Sequence, residues 1–382
     1  MKATQTYRPL RALPFAGVAG VLLFSCMATP PSSVLAFEGG RVLAADVSEA
    51  EQVESLMAAL RPKLLELLPD ANFEDLEVWV QDRPSLYKFT SEATADAEGL
   101  WSPSHRRIML SRHADHLERT LAHELTHAAL GDSWQRLPGS LEEGLADHVS
   151  AALCEDGAAR LRAGRLSSAC LATGGLEIDL DVTRRVPGER ASGAPRRGWS
   201  ARVKLKGDTD STDPLDVFRL SAGLSSTKLD VGTKRGFYGL AFLVVSRIAD
   251  RDGYGALHQM CEDAARDGRS HVGLNDVLEA ADLSREPADW RRAAAEQMGA
   301  DELVELVRMY PDFLVNALVD YCTSLDHPAE TVLDDLEVHV RLVEGGASIT
   351  LDRLPFVKET VVATLLAKSE KDGVLQLASA HR

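Results

Sequence analysis

The chain has 382 residues, 45% of them hydrophobic and 26% charged, a globular composition sufficient for one large domain or two to three smaller ones. A net charge of −16 and a pI near 5.2 argue against a nucleic-acid partner, which would need clustered Lys and Arg. Aromatic residues make up only 5%, so the core must come largely from Leu, Val and Ala.

Lys2, Arg8 and Arg11 precede an apolar run over residues 12–25, the layout of an export signal and too short for a membrane span. Two endings are open. The stretch LFSC (23–26) resembles a bacterial lipobox, in which Cys26 is lipidated and becomes the mature N-terminus. The stretch VLA (34–36) would suit ordinary signal peptidase, but it stands farther from the apolar run. The lipobox is the preferred ending, with a signal over 1–25 and a Pro/Ser/Gly-containing tether over 26–45. Contact with a membrane is then expected only through a lipid on Cys26.

Residues 47–69 read as an amphipathic helix with Val53, Leu56, Leu60 and Leu64 at helical spacing. LEVWVQD (76–82) alternates as a strand does, and GLWSPSHRRIMLS (99–111) reads as two short extended runs around a turn. A helix over about 115–130 follows, then a loop with Pro138 and Gly139, then a second helix over about 141–154. Residues 184–215 show little apolar periodicity and read as a long surface loop. GFYGLAFLVVSRIADRDGYGALHQM (236–260) restores a strong helix, broken at Asp252–Gly253. The remainder is mostly helical in pattern, with VHVRLVEGGASITL (338–351) open between helix ends and a hairpin. The expected organisation is a sheet with two site-bearing helices over 46–175, a loop-rich insertion over 176–230, a helical subdomain over 231–300 and a C-terminal helical region over 301–382. Export to an oxidising compartment would allow Cys154, Cys170, Cys261 and Cys322 to form two disulfides, Cys154–Cys170 being the most local pair; four buried thiols are the alternative.

The chemistry lies in LAHELTHAAL (121–130). On a helix, Leu117, Leu121, Leu125 and Ala128 form one apolar stripe. His123 and His127 lie about 40° apart on a different face, one turn from each other. Two imidazoles so placed suit one tetrahedral ion, with zinc the default metal. Glu124 stands where it could take a proton from a water the metal polarises. Chance placement or polar decoration of a helix is the competing explanation, and a third ligand would decide against it.

SLEEGLADHVS (140–150) supplies one. Here the sequence resembles the gluzincin zinc metallopeptidases, the group that includes thermolysin and aminopeptidase N. The resemblance implies Glu143 as the third ligand, with Glu142 as the fallback, and Asp147 as the carboxylate that orients a ligand histidine. Against this, Ser140 and Glu143 also match a capping box, in which Glu143 would only reach the Ser140 amide. His148 reads as a packing or surface residue, and His113 and His116 as loop and first-turn residues. The family's substrate-pairing edge strand would correspond to RRIMLS (106–111), and its oxyanion-stabilising tyrosine to Tyr238. The implied fold is α+β: a small mixed or antiparallel sheet packed on the HExxH helix, followed by a mainly α-helical subdomain, as in thermolysin. The implied activity is zinc-dependent hydrolysis of peptide or protein substrates, with Glu124 and Tyr238 catalytic and His123, His127 and Glu143 on the metal. The alternative is a non-catalytic envelope binding protein on the same scaffold. The likeness covers residues 76–150 well and 232–262 weakly.

Overall fold

The computed structural model describes residues 32–82, 97–184, 198–207, 231–325 and 333–371. The export signal and Cys26 lie outside the described residues. Strands β1 (Ser33–Phe37) and β2 (Gly40–Ala44) form a tight antiparallel hairpin, with Gly39 at φ +83° in its two-residue turn. Residues 33–44 are thus part of a sheet, which corrects the expected tether over 26–45. The apolar pairs in VLAF and RVLA need a partner strand, and the Pro/Ser composition upstream hid this. A cut after Ala36 would take most of β1 with it.

Helix α1 (Val47–Leu67) begins at Asp46, whose carboxylate accepts from the Glu49 amide, and it buries Ala50, Val53, Met57, Leu60 and Leu64. Strands β3 (Leu76–Gln81), β4 (Gly99–Ser102) and β5 (Arg107–Ser111) complete a mixed five-stranded sheet in the order β1-β2-β3-β5-β4. Strands β2, β3 and β5 run parallel, while β4 returns antiparallel to β5 with Trp101 opposite Ile108. The strand RRIMLS is therefore interior. The sheet edge nearest the motif helix is β4, whose outer side has no partner strand among the described residues. The expectation failed because the short GLWS run looked like a mere prelude to its longer partner.

Helix α2 (Leu117–Ala129) packs on β4, β5 and α1, with Leu121 and Leu125 fully buried. Next come α3 (Gly139–Leu153) and α4 (Ala158–Ala172). Strands β6 (Gly175–Arg184) and β7 (Gly198–Lys206) then pair along their length. With β8 (Leu336–Leu342) and β9 (Ser348–Thr350) they make a second, antiparallel sheet in the order β7-β6-β8-β9. This corrects the loop-rich insertion over 176–230 within its described residues. Leu176, Ile178, Leu180 and Val182 are buried at strict two-residue spacing, a strand signal masked by the Pro/Gly/Arg-rich composition around it. Strands β8 and β9 likewise resolve the 338–351 ambiguity as a hairpin inside the expected C-terminal helical region.

The remaining helices are α5 (Val231–Asp252), α6 (Tyr254–Arg266), α7 (Leu274–Ala281), α8 (Pro287–Gln297), α9 (Ala300–Met309), α10 (Pro311–Thr323) and α11 (Pro355–Lys371). Helix α5 is central: residues 240–245 are all fully buried, between α3 and α4. Two glycines permit that approach. A Cβ on Gly144 would stand 2.5 Å from the Ala241 carbonyl oxygen, and one on Gly239 would stand 2.6 Å from the Ala169 nitrogen. The fold is α+β, as expected. No helix among the described residues is long and apolar enough to cross a membrane. Cys154, Cys170, Cys261 and Cys322 are separate buried thiols, distributed over α3's end, α4, α6 and α10. Burial pushes Cys154 up to about 11 and Cys170 and Cys261 to about 12.

Candidate metal centre

Helices α2 and α3 pack face to face and bring three side chains to one point. His123 Nε2 and His127 Nε2 are 3.3 Å apart, and Glu143 Oε2 stands 3.5 Å from the first and 3.7 Å from the second. Two atoms each bound roughly 2.1 Å from a tetrahedral ion lie roughly 3.4 Å apart, so this triangle has the edge lengths such an ion requires. The opposite sides of both rings are occupied. His123 Nδ1 faces Asp147 Oδ1 at 3.1 Å, and His127 Nδ1 faces Glu142 Oε1 at 2.8 Å. With Nδ1–H directed to a carboxylate in each ring, the two Nε2 lone pairs and a carboxylate oxygen converge on one another. Positive charge placed among them relieves that arrangement, and the donor set fits a metal ion. His123, His127 and Glu143 could hold one.

The capping-box reading of Glu143 fails on three counts. Helix α3 starts at Gly139, with no side-chain cap bond at its N-cap, Pro138. The Ser140 hydroxyl is buried and has no hydrogen-bond partner. The Glu143 carboxylate faces the imidazoles instead. Glu142, the fallback ligand, lies behind His127 rather than in the triangle.

The electrostatics follow from burial opposed by pairing. Burial alone would lower His123, but its contacts with Asp147 and Glu143 carry it up to about 9. His127 is likewise driven well above the usual range by Glu142 and Glu143, against burial. Burial would raise Glu143 and Asp147; the imidazoles hold both low, with Arg165 the largest counterweight for Asp147.

Glu124 is 6% exposed and lies under β4. Burial raises its pKa, against the pull of His123 and His127 and an accepted hydrogen bond from the Trp101 amide. A Cβ on Gly99 would come within 2.6 Å of Glu124 Oε1, so glycine there leaves the carboxylate its space. Arg165, on α4, was missed in the sequence. Its Nε donates to Asp147 Oδ2 at 2.6 Å, and its guanidinium lies 4.7 Å from the centre of the Tyr238 ring. Only helical spacing between two elements, not a local pattern, could have suggested it. Tyr238, half-buried on α5, is therefore linked to His123 through Arg165 and Asp147. His148 bonds the Tyr254 hydroxyl at 2.8 Å and packs beside Phe242, as a packing histidine should. His113 is exposed, and His116 stands at the N-cap position of α2 with its ring on Asp156, so neither joins the triangle.

What these elements define is an α+β protein with a preorganised His/His/Glu group and a buried carboxylate beside it. No protein-family model matches the chain, and no curated protein or solved structure is significantly similar to it.

Proposed function

We propose that this protein is a zinc-dependent metallopeptidase with a gluzincin-like architecture. The observation that supports this most is the ligand triangle with Glu124 buried alongside it. Two imidazoles and one carboxylate are a donor set that suits zinc. Bound there, zinc would act as a Lewis acid and lower the pKa of a water toward neutrality.

The chain's own residues supply the rest. Glu124, with its raised pKa, takes the proton of the attacking water and delivers it to the leaving amine. Asp147 and Glu142 fix the tautomers of His123 and His127, and Arg165 holds Asp147 in place. Tyr238 polarises the scissile carbonyl. The outer side of β4, which has no partner strand among the described residues and whose Gly99 lies against Glu124, can take an extended peptide by main-chain pairing. An exported, lipid-anchored location at the cell envelope belongs to the same proposal.

The test is zinc content together with hydrolysis of a mixed peptide library, run on wild type and Glu124→Gln side by side. Both proteins are expected to hold about one zinc, and only wild type to cleave. Undiminished cleavage by Glu124→Gln, or no metal in either protein, would end the proposal.

A further inference from the structure

Arg119 lies one helical turn before His123 on α2. Arg119, His123 and His127 therefore form a row within about 80° of arc on one face. The half-buried guanidinium uses one of its donors on the Gly157 carbonyl, at 3.2 Å. Among the described residues no carboxylate comes within 4.0 Å of it. Asp147, Asp156 and Glu98, the acids that act on it most among the described residues, each have a closer partner. Asp147 is held by Arg165 and His123. Asp156 is held by His116 at 2.8 Å. Glu98 accepts from the Thr120 hydroxyl at 3.0 Å and the Asp115 amide at 3.4 Å. Burial, with Arg165 adding to it, keeps Arg119 below the usual arginine range despite Glu98 and Asp147. In a chain of net charge −16, a partly desolvated guanidinium with no carboxylate of its own among the described residues is an unfilled valence.

We propose that Arg119 is the specificity-determining anchor for a substrate carboxylate, set one turn along α2 from the ligand triangle. This rests on the peptidase reading and deepens it, since it names the substrate class: peptides with a carboxylate close to the cleaved bond. A guanidinium fork binds a carboxylate bidentately, and the remaining donors of Arg119 are available for that. Two sources carry the group. A C-terminal carboxylate would make the enzyme a carboxypeptidase, and an Asp or Glu side chain would make it an endopeptidase that cuts beside acidic residues.

Binding separates these cases without turnover. Zinc-loaded Glu124→Gln is incubated with three N-acetylated hexapeptide libraries, and retained peptides are quantified by mass spectrometry. One library has free C-termini and no acidic residues, one is amidated with no acidic residues, and one is amidated with a single Asp or Glu. A charge-assisted pair is worth roughly tenfold or more in retention. One of the two carboxylate-bearing libraries should therefore be held at least tenfold better than the acid-free amides. Which one it is identifies the source. Arg119→Met in the same background should abolish the preference at unchanged zinc content, and Arg119→Lys should keep part of it. Acid-free amides held as well as the others, no retention of any library, or a preference that survives Arg119→Met would each overturn the assignment. Where Arg119→Met does not fold, the amidation comparison decides alone. Wild-type cleavage indifferent to carboxylates removes this inference and leaves the peptidase standing. Carboxylate-dependent binding with no wild-type cleavage does the reverse.

Discussion

Replacing Gly144 by alanine tests how closely the site helices are held together. A Cβ there would sit 2.5 Å from the Ala241 carbonyl oxygen, 2.6 Å from its carbon and 3.0 Å from the Phe242 nitrogen. All three atoms are backbone in α5, so no side chain can rotate aside. Restoring ordinary contact requires α3 and α5 to part by about 1 Å. Overpacking of this kind costs roughly 1–3 kcal/mol, and the better helix propensity of alanine returns about 0.5–1 kcal/mol. The expected outcome is a net loss of about 1–2 kcal/mol in urea unfolding of the metal-free protein. Gly164, in α4, provides the control, because a Cβ there meets nothing within 4 Å. Gly164→Ala should gain about 0.5–1 kcal/mol. Glu143 directly precedes Gly144, so a shift near 1 Å should also cost the proposed peptide hydrolysis, on the order of a hundredfold. If Gly144→Ala proves as stabilising as Gly164→Ala, the close approach of α3 to α5 is wrong.

Asp147→Asn and Glu142→Gln should each weaken the proposed zinc binding by roughly 10–100-fold, measured by chelator competition. Unchanged affinity would show that neither carboxylate orients its imidazole. Metal uptake should release protons, because the facing carboxylates raise His123 to about 9 and His127 well above its usual range, favouring protonated imidazole that the metal must displace. Raised ligand pKa values mean that affinity climbs as pH rises toward 9 and falls below neutrality. Calorimetry in buffers of different ionisation enthalpy reads the protons directly, and pH-independent binding would contradict the pairing. Ser140→Ala should lack the roughly 1 kcal/mol penalty of losing an N-cap, because the hydroxyl is buried without a partner. A full capping penalty in thermal unfolding would revive the capping box.

The helices of the site were legible because their signal is local. The apolar stripe of α2 and the one-turn spacing of His123 and His127 depend on helical period alone, whereas Glu143 and Asp147 were expected from the resemblance of SLEEGLADHVS to the gluzincins. What packing decides was not legible. Arg165 reaches Asp147 only because α4 lies against α3, and the proximity of Gly99 to Glu124 needs β4 folded over α2. Glu142 and Glu143 are neighbours of equal chemistry, and only the helix's orientation sends one behind His127 and the other into the triangle. The hairpins of β1–β2 and β6–β7 were overlooked for the opposite reason: their alternation is present, but local composition was weighed above period.

The connectivity of the second sheet sets an order of events for the newborn chain. Helices α2, α3 and α4 follow one another within residues 117–172, so the ligand triangle and Arg165 can assemble from neighbouring segments soon after synthesis. Strand β6 has only β7 beside it until β8 emerges about 150 residues later. Until then one side of β6 is an unpaired, largely apolar edge, the kind of template on which incomplete chains aggregate. Closing that long loop is entropically slow, so the last steps of folding fall to the sheet farther in sequence from the candidate metal ligands. A chain shortened before Leu336 would keep every candidate ligand and yet be selected against by its own exposed strand.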